Sequence, residues 1–357
     1  RCHSYFFGAL VLGWGLKKHA ACEAARVLLH TPDVPEPYVG ALSSAGWRCQ
    51  QVDYISGVAS GFFHNWRKSR FVDVFTKLRA LQLTSFDKVM LLDLDLLVRE
   101  PVQAGADLSS VFQLRPPAAM KRGPPVPRHG DEVGYEVIWE HPTRREGDRL
   151  PSHQQASGIN AGVMLLRPDS SIFEQMEAEI RDWYHPEHYA TYMPEQEYLS
   201  RFYGTYDCWT HIDCRFNLEI DKNERVPHDW TEAHEAIRAA GDPAAGRSGN
   251  EGSAHPGAVV LHYSGTGVKP WDLLYERRGE PASLRVADAG ALEDLYRRLA
   301  AAGPGDYFEG YYTDVLRFWA ALLEWIKQLI ACSTELAAFG CDPLALVRAA
   351  VLREAVS

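Results

Sequence analysis

The run Val89-Met90-Leu91-Leu92-Asp93-Leu94-Asp95-Leu96-Leu97-Val98 decides how the rest of the chain is read. Its apolar residues, following a short Ser85-Phe86-Asp87 break, predict a strand. A strand carries residues two apart on one face, so Asp93 and Asp95 can point at one ion. They also sit at the carboxyl end of the strand, where open α/β sheets bind ligands. Oxygen pairs of this kind suit Mg2+ or Mn2+ bridged to a diphosphate. An acidic turn capping the next element is the plainer alternative, and the pair alone leaves it open.

Toward the N-terminus, Phe71, Val74, Phe75, Leu78 and Leu81 recur at helical spacing and place Lys77 and Arg79 on other faces of that helix. Further upstream an apolar helix from Tyr5, the strand-like Arg26–His30, a turn with Pro32, Pro35 and Pro37, a second helix and the strand-like Gln51–Ile55 follow one another. This alternation predicts an α/β fold with a mostly parallel central sheet. The apolar stretch Tyr5–Leu16 is shorter than the ~20 residues that cross a bilayer. The sequence begins at Arg1 rather than Met, and we read it as a fragment or processed form whose targeting signal lies out of view.

Toward the C-terminus, Arg115–Leu150 mixes charge with Pro116, Pro117, Pro124, Pro125 and Pro127, and is expected to be a long surface loop running to Pro151. A strand-like run, Gly158–Leu166, leads into a helix holding Phe173, Met176 and Ile180. Residues 240–257 read as a low-complexity insert, and Ala258–His262 as the last strand. Beyond about residue 275 the pattern turns helical, with Val315, Phe318, Trp319, Leu322, Trp325, Ile326, Leu329 and Ile330 on one apolar face. Thr313 or Asp314 is expected to cap that helix and Gly340 with Pro343 to end it. The division expected is a main domain over residues 1–275 and a helical extension over 276–357.

Composition removes several classes. With 37 basic and 47 acidic residues the net charge is −10, which lacks the basic field that nucleic-acid binding needs. Seven scattered cysteines with no C-x-x-C pair argue against a disulfide framework and a zinc ribbon. At 357 residues the chain is long enough to bury a core without either.

Three further constellations carry chemistry. Leu261-His-Tyr-Ser-Gly-Thr-Gly-Val-Lys-Pro-Trp271 follows a strand and joins an imidazole, two glycines and a lysine. Glycines let backbone N–H groups approach phosphate oxygens, Lys269 supplies a compact positive charge, and His262 as a nitrogen ligand would shift the preferred ion from Mg2+ toward Mn2+. Gly158-Ile-Asn-Ala-Gly-Val holds Asn160, a donor and acceptor suited to sugar hydroxyls, with Gly162 allowing close approach. Met193-Pro-Glu-Gln-Glu places Glu195, Gln196 and Glu197 at a helix start, where acids also stabilise the helix dipole.

Taken in order, these motifs resemble glycosyltransferase family 8, the group of glycogenin and the bacterial lipopolysaccharide galactosyltransferases, over about residues 4–275. The resemblance rests on Gly8–Gly13 with Leu16-Lys17, Phe75–Leu78, the D-x-D strand, Asn160–Val163, and His262–Trp271. It implies a GT-A type, Rossmann-like nucleotide-diphospho-sugar transferase fold with C-terminal helices, and a Mn2+-dependent, retaining transfer from a UDP-sugar carrying glucose, galactose or glucuronate. Carried over by position, Asp93, Asp95 and His262 look like metal ligands, and Gly265 with Lys269 like the diphosphate grip. Lys77 looks like the basic residue near the donor phosphate and sugar, with Leu94, Asn160, Ala161 and Gly162 as donor contacts and Tyr5 near the base. Glu195 and Gln196 fall where the family carries Asp-Gln beside the reacting sugar. The family's first strand would precede Tyr5, and Arg1–Ser4 is too short to supply it. No tyrosine lies in His211–Trp230, so a separate carbohydrate, lipid or protein acceptor is expected rather than a self-glucosylated residue. A homodimer stays open, as does a cytoplasmic or a Golgi location. The rivals are a haloacid dehalogenase-type phosphatase, whose nucleophile strand also ends in D-x-D, and a UDP-sugar binder without turnover.

Overall fold

The computed structural model describes residues 2–20, 23–63, 71–101, 107–122, 136–137, 158–206, 208–220, 257–264, 269–272, 289–303 and 309–331. In chain order the elements are α1 (Cys2–His19), β1 (Val27–His30), α2 (Glu36–Ser44), β2 (Arg48–Gln51), a 3-10 helix (Val74–Gln82), β3 (Val89–Leu92), β4 (Leu96–Val98), β5 (Ala118–Lys121), β6 (Glu136–Val137) and β7 (Ile159–Leu166). There follow α3 (Ser170–Arg181), α4 (Pro194–Tyr206), β8 (Trp209–His211), β9 (Leu218–Glu219), β10 (Val260–His262), α5 (Ala289–Ala302) and α6 (Glu309–Ala331).

The α/β class is as expected, but the sheets are mixed rather than mostly parallel. A five-stranded sheet runs β3-β7-β5-β8-β6, a three-stranded one β4-β10-β9, and β1 pairs with β2 alone. Pairs β1–β2, β9–β10 and β5–β8 are parallel. Pairs β3–β7, β5–β7, β6–β8 and β4–β10 are antiparallel. Alternating elements predicted parallel crossovers; two of the antiparallel pairs arise because β7, all eight of whose residues are buried, runs back between β3 and β5. A strand covered on both faces reads as a near-continuous apolar run, which is how Ala161–Leu166 reads.

Four local expectations change. The proline-flanked stretch expected to be surface loop holds β5, whose Ala118, Ala119 and Met120 are fully buried. Residues 123–135 and 138–150 of that stretch lie outside the described residues, as do residues 240–256, Gly340 and Pro343. The strand placed at 51–55 lies at Arg48–Gln51. The helix over 71–81 is a 3-10 helix from Val74. Its buried Phe75, Leu78 and Leu81 recur every three residues, the period at which 3-10 side chains eclipse. Asp314 caps nothing: α6 starts at Glu309 and Asp314 is completely buried inside it.

That buried aspartate explains how α6 docks. Phe318, Leu322 and Ile326 are fully buried against α1 and the β4/β10 region, with Trp319 packing on Phe7 at 6.1 Å and Phe318 on Trp271 at 5.7 Å. Trp319 Nε1–H donates to the Pro270 carbonyl at 3.1 Å, and Tyr263 O–H donates to the Asp314 carbonyl at 2.7 Å. The Asp314 carboxylate faces Arg99 at 3.9 Å and Arg317 at 3.7 Å. Burial lowers the Arg99 pKa to about 10 even with that partner. Removing one member of a buried ion pair strands the other charge, at a cost of about 3–5 kcal/mol. Asp314→Ala should therefore lower urea-unfolding stability by about that amount, while Glu324→Ala, which breaks an exposed pair with Lys18, should change it by less than about 1 kcal/mol. Equal effects from the two variants would contradict this account of the helix.

Candidate functional site

Asp93-Leu94-Asp95 is the place where the chain leaves one sheet for another. Asp93 N–H donates to the Gly162 carbonyl at 2.9 Å, extending the β3–β7 ladder, while Tyr263 N–H donates to the Asp95 carbonyl at 3.0 Å, extending β4–β10. The two carboxylates are thus anchored by different sheets. From behind, α1 presses on the crossing: a Cβ at Gly8 would lie 2.2 Å from the Leu94 carbonyl oxygen, so only glycine permits that approach. His262 ends β10, and its ring lies on β7. A Cβ at Gly162 would meet the ring at 2.2 Å from Cε1 and 2.5 Å from Nδ1.

A chain of hydrogen bonds sets the state of that histidine. Gly162 N–H donates to Asn160 Oδ1 at 2.9 Å, which fixes that amide's orientation. Asn217 Nδ2 also donates to Asn160 Oδ1, at 2.9 Å, so Asn217 turns its own Oδ1 toward His262 Nδ1, 2.9 Å away. An oxygen there must accept, so His262 carries a proton on Nδ1 and turns Nε2 toward Asp95. Nε2 and the Asp95 Oδ1 are 3.5 Å apart, a separation suited to two ligands of one cation. Ligand atoms of Asp93, Asp95 and His262 all lie within 4.8 Å of one another. Two carboxylates and an imidazole oriented by an amide are a donor set that fits a divalent ion.

Positive and negative groups alternate around this cluster. Lys77 bridges Asp93 at 2.7 Å and Glu195 at 2.9 Å, and reaches the Ala161 carbonyl at 3.5 Å. Burial alone would lower its pKa, but the two carboxylates outweigh that and hold the ammonium well above its ordinary value. Lys269 pairs with Asp95 and donates to the Tyr263 carbonyl at 2.6 Å. Burial raises the Glu195 carboxyl, with Lys77 opposing. Gln196 Oε1 accepts Ala161 N–H at 2.9 Å. Glu195, Gln196 and Glu197 are all buried, so they face inward rather than sitting as solvated residues at a helix start. One cavity of 1920 Å³ has Asp93, Leu94, Asp95, Asn160, Ala161, Gly162, Glu195, Gln196, His262, Lys77 and Lys269 on its wall, with Tyr5 at 41% exposure set edge-on to Trp271 at 5.2 Å. Gly265 lies outside the described residues.

Three polar residues were not expected from the sequence: Asn217, Glu219 and Arg122. Glu219 accepts from Asn160 Nδ2 at 2.8 Å and from Ser264 Oγ at 2.5 Å, with Arg122 at 3.8 Å. Burial would raise its carboxyl, but Arg122 leads the interactions that overcome this and hold it below its ordinary value. Asn217-Leu218-Glu219 repeats the period-two spacing of Asp93-Leu94-Asp95, which is the signal that could have found it.

Two measurements check this geometry. Asn217→Ala should keep the fold while weakening divalent-ion affinity about 10–100-fold, the usual cost of losing an outer partner of a ligating histidine; unchanged Mn2+ titration would contradict the assigned tautomer. Glu197 offers a pH test. Burial pushes its carboxyl up to about 7, against the opposing Tyr189 hydrogen bond of 2.7 Å and the Arg122 charge. The folded protein therefore keeps a proton that the unfolded chain releases above about 4.5, so this group's contribution to stability falls as pH rises from about 4.5 to about 7. Between about pH 5 and about pH 8, Glu197→Gln should gain on the parent by up to about 3 kcal/mol in urea unfolding; a pH-independent difference would contradict it.

No protein-family profile matches the chain. Among curated proteins, "Uncharacterized protein R707" of Acanthamoeba polyphaga mimivirus is 32% identical over 224 residues, covering 62% of this chain and 70% of its own length. "Uncharacterized protein C4C3.09" of Schizosaccharomyces pombe is 27% identical over 249 residues, 63% of this chain, and the match spans just under two thirds, 65%, of the yeast protein. Among solved structures, the galactosyltransferase LgtC in complex with donor and acceptor sugar analogues aligns at a TM-score of 0.43 and 18% identity, over 75% of this chain and 85% of its own. The identity and coverage shared with the viral protein make this chain a member of the same protein family as R707.

Proposed function

We propose that this protein is a glycosyltransferase that moves a hexose from a UDP-sugar to a hydroxyl of a separate acceptor, with retention and with Mn2+ held by Asp93, Asp95 and His262. The observation that carries this reading is the convergence of those three residues with two half-buried lysines on one cavity, a set matched to a cation and a diphosphate together. A bound divalent ion supplies positive charge where the leaving diphosphate becomes more anionic.

The chain's own residues do the rest. Lys269 adds an ammonium for the same diphosphate, and its partial burial makes that charge more effective than a fully solvated one. Asn160 and Gly162 stand on the cavity wall where the sugar would lie. Gln196 Oε1, oriented by the Ala161 N–H, stands on the same wall as the partner for the electron-poor sugar carbon as the bond to diphosphate breaks. The acceptor hydroxyl attacks from the face the diphosphate leaves, and its proton passes to a departing phosphate oxygen. Glu195 is held by Lys77 and is the alternative partner for that carbon in a two-step route; a trapped glycosyl adduct on Glu195 would replace same-face attack.

UDP release from a panel of UDP-sugars tests the reading. Release should require Mn2+, favour one sugar, and fall by about a thousandfold or more in Asp95→Asn, the several kcal/mol that such a metal supplies. UDP-sugar affinity without release would identify a binding protein, and release of phosphate from an aryl phosphate would identify a phosphatase.

A further inference from the structure

A second group of metal-ligating side chains lies outside the residues that carry the proposed donor chemistry. Glu179 stands in the last turn of α3, and His185 and His188 follow in the segment that leads to α4; one ligand atom from each lies within 4.8 Å of the others. We propose that Glu179, His185 and His188 form a second metal site that takes Zn2+ through three protein ligands, leaving the fourth position for water.

Three observations carry it. The His185 Nε2 to Glu179 Oε1 separation is 3.5 Å. That is longer than a hydrogen bond but close to the edge of a tetrahedron around an ion with bonds of about 2.0–2.1 Å, an edge of about 3.4 Å. Next, both ring nitrogens of His188 are shut off from solvent and neither completes a hydrogen bond, although the Asp182 main-chain carbonyl lies near enough to favour the protonated ring. An imidazole buried in this way wants a partner, and a neutral ring is the form that ligates. Finally, the two rings are already arranged, stacked at 4.7 Å, with Phe62 packed on His188 at 4.0 Å.

Two imidazoles and a carboxylate favour Zn2+ over the all-oxygen preference of Mg2+. Arg201 of α4 also meets Glu179 and stays as an outer partner of that carboxylate, which has a second oxygen and further lone pairs. A bound ion would tie the end of α3 to the segment in which Thr191 N–H donates to the Phe62 carbonyl at 3.1 Å, immediately before Met193, Glu195 and Gln196. The site stands whether or not the chain transfers sugar.

The test is zinc stoichiometry by mass spectrometry on the full chain after chelator treatment and equilibration with limiting Zn2+, in an Asp95→Asn background that disables the first site. One tightly held zinc per chain is expected, with Co2+ in its place giving the visible absorption of a four-coordinate ion. His185→Gln and His188→Gln, each checked for a native circular dichroism spectrum, should weaken binding by about 100-fold or more, beyond the cost of losing an outer partner. The half-buried His185 can be replaced without opening the core, so a folding failure at His188 leaves the test intact. No zinc in the Asp95→Asn chain, or binding unchanged in His185→Gln, would overturn the proposal.

Discussion

The contact between the His262 ring and the bare backbone of Gly162 is the constraint on which the site depends. It presses the end of β10, in the three-stranded sheet, onto β7, in the five-stranded one, with no space for even a methyl group. The chain crosses between the same two sheets at Asp93-Leu94-Asp95, so the carboxylates and the imidazole are brought together by backbone pairing rather than by flexible side chains. Gly8 of α1 closes the arrangement from behind, and α6 in turn supports α1 and the Pro270–Trp271 turn. Helices far from the acidic pair in sequence therefore hold its position.

Charge explains the second layer. Concentrating Asp93, Asp95, Glu195 and Glu219 around one cavity would be unfavourable without compensation. Lys77, Lys269 and Arg122 provide it, each within reach of at least one of these carboxylates. The amides of Asn160 and Asn217 link Glu219 to His262, giving every member of the chain a single consistent orientation. A network in which each donor has an acceptor is rigid, and rigidity is what metal and diphosphate recognition require.

Most of the site was legible because it follows period-two spacing at strand ends. Asp93 and His262 each close an apolar run, Asp95 stands two residues past Asp93 at the start of the next, and Lys77 sits in a segment whose three-residue apolar repeat the structure turns into a 3-10 helix. What escaped has physical reasons. β9 is two residues long, so the period-two spacing of Asn217 and Glu219 has no apolar run beside it to mark a strand end. β5 is built from small residues after two prolines, and its burial is decided by β7 and β8 on either side rather than by its own sequence. The parallel expectation failed at β7, because a strand's direction depends on its partners and not on its composition. Asp314 looked like a helix cap, yet its buried partner Arg99 lies more than two hundred residues away in the chain, a pairing that no local pattern displays.

The most direct measurement is an electron paramagnetic resonance titration of Mn2+ into the full chain, with and without UDP, for the parent and for His262→Gln. If Asp93, Asp95 and His262 hold a cation that a diphosphate completes, UDP should tighten Mn2+ binding in the parent and the tightening should disappear in the variant. Mn2+ binding that ignores UDP, or that survives His262→Gln unchanged, would contradict the account.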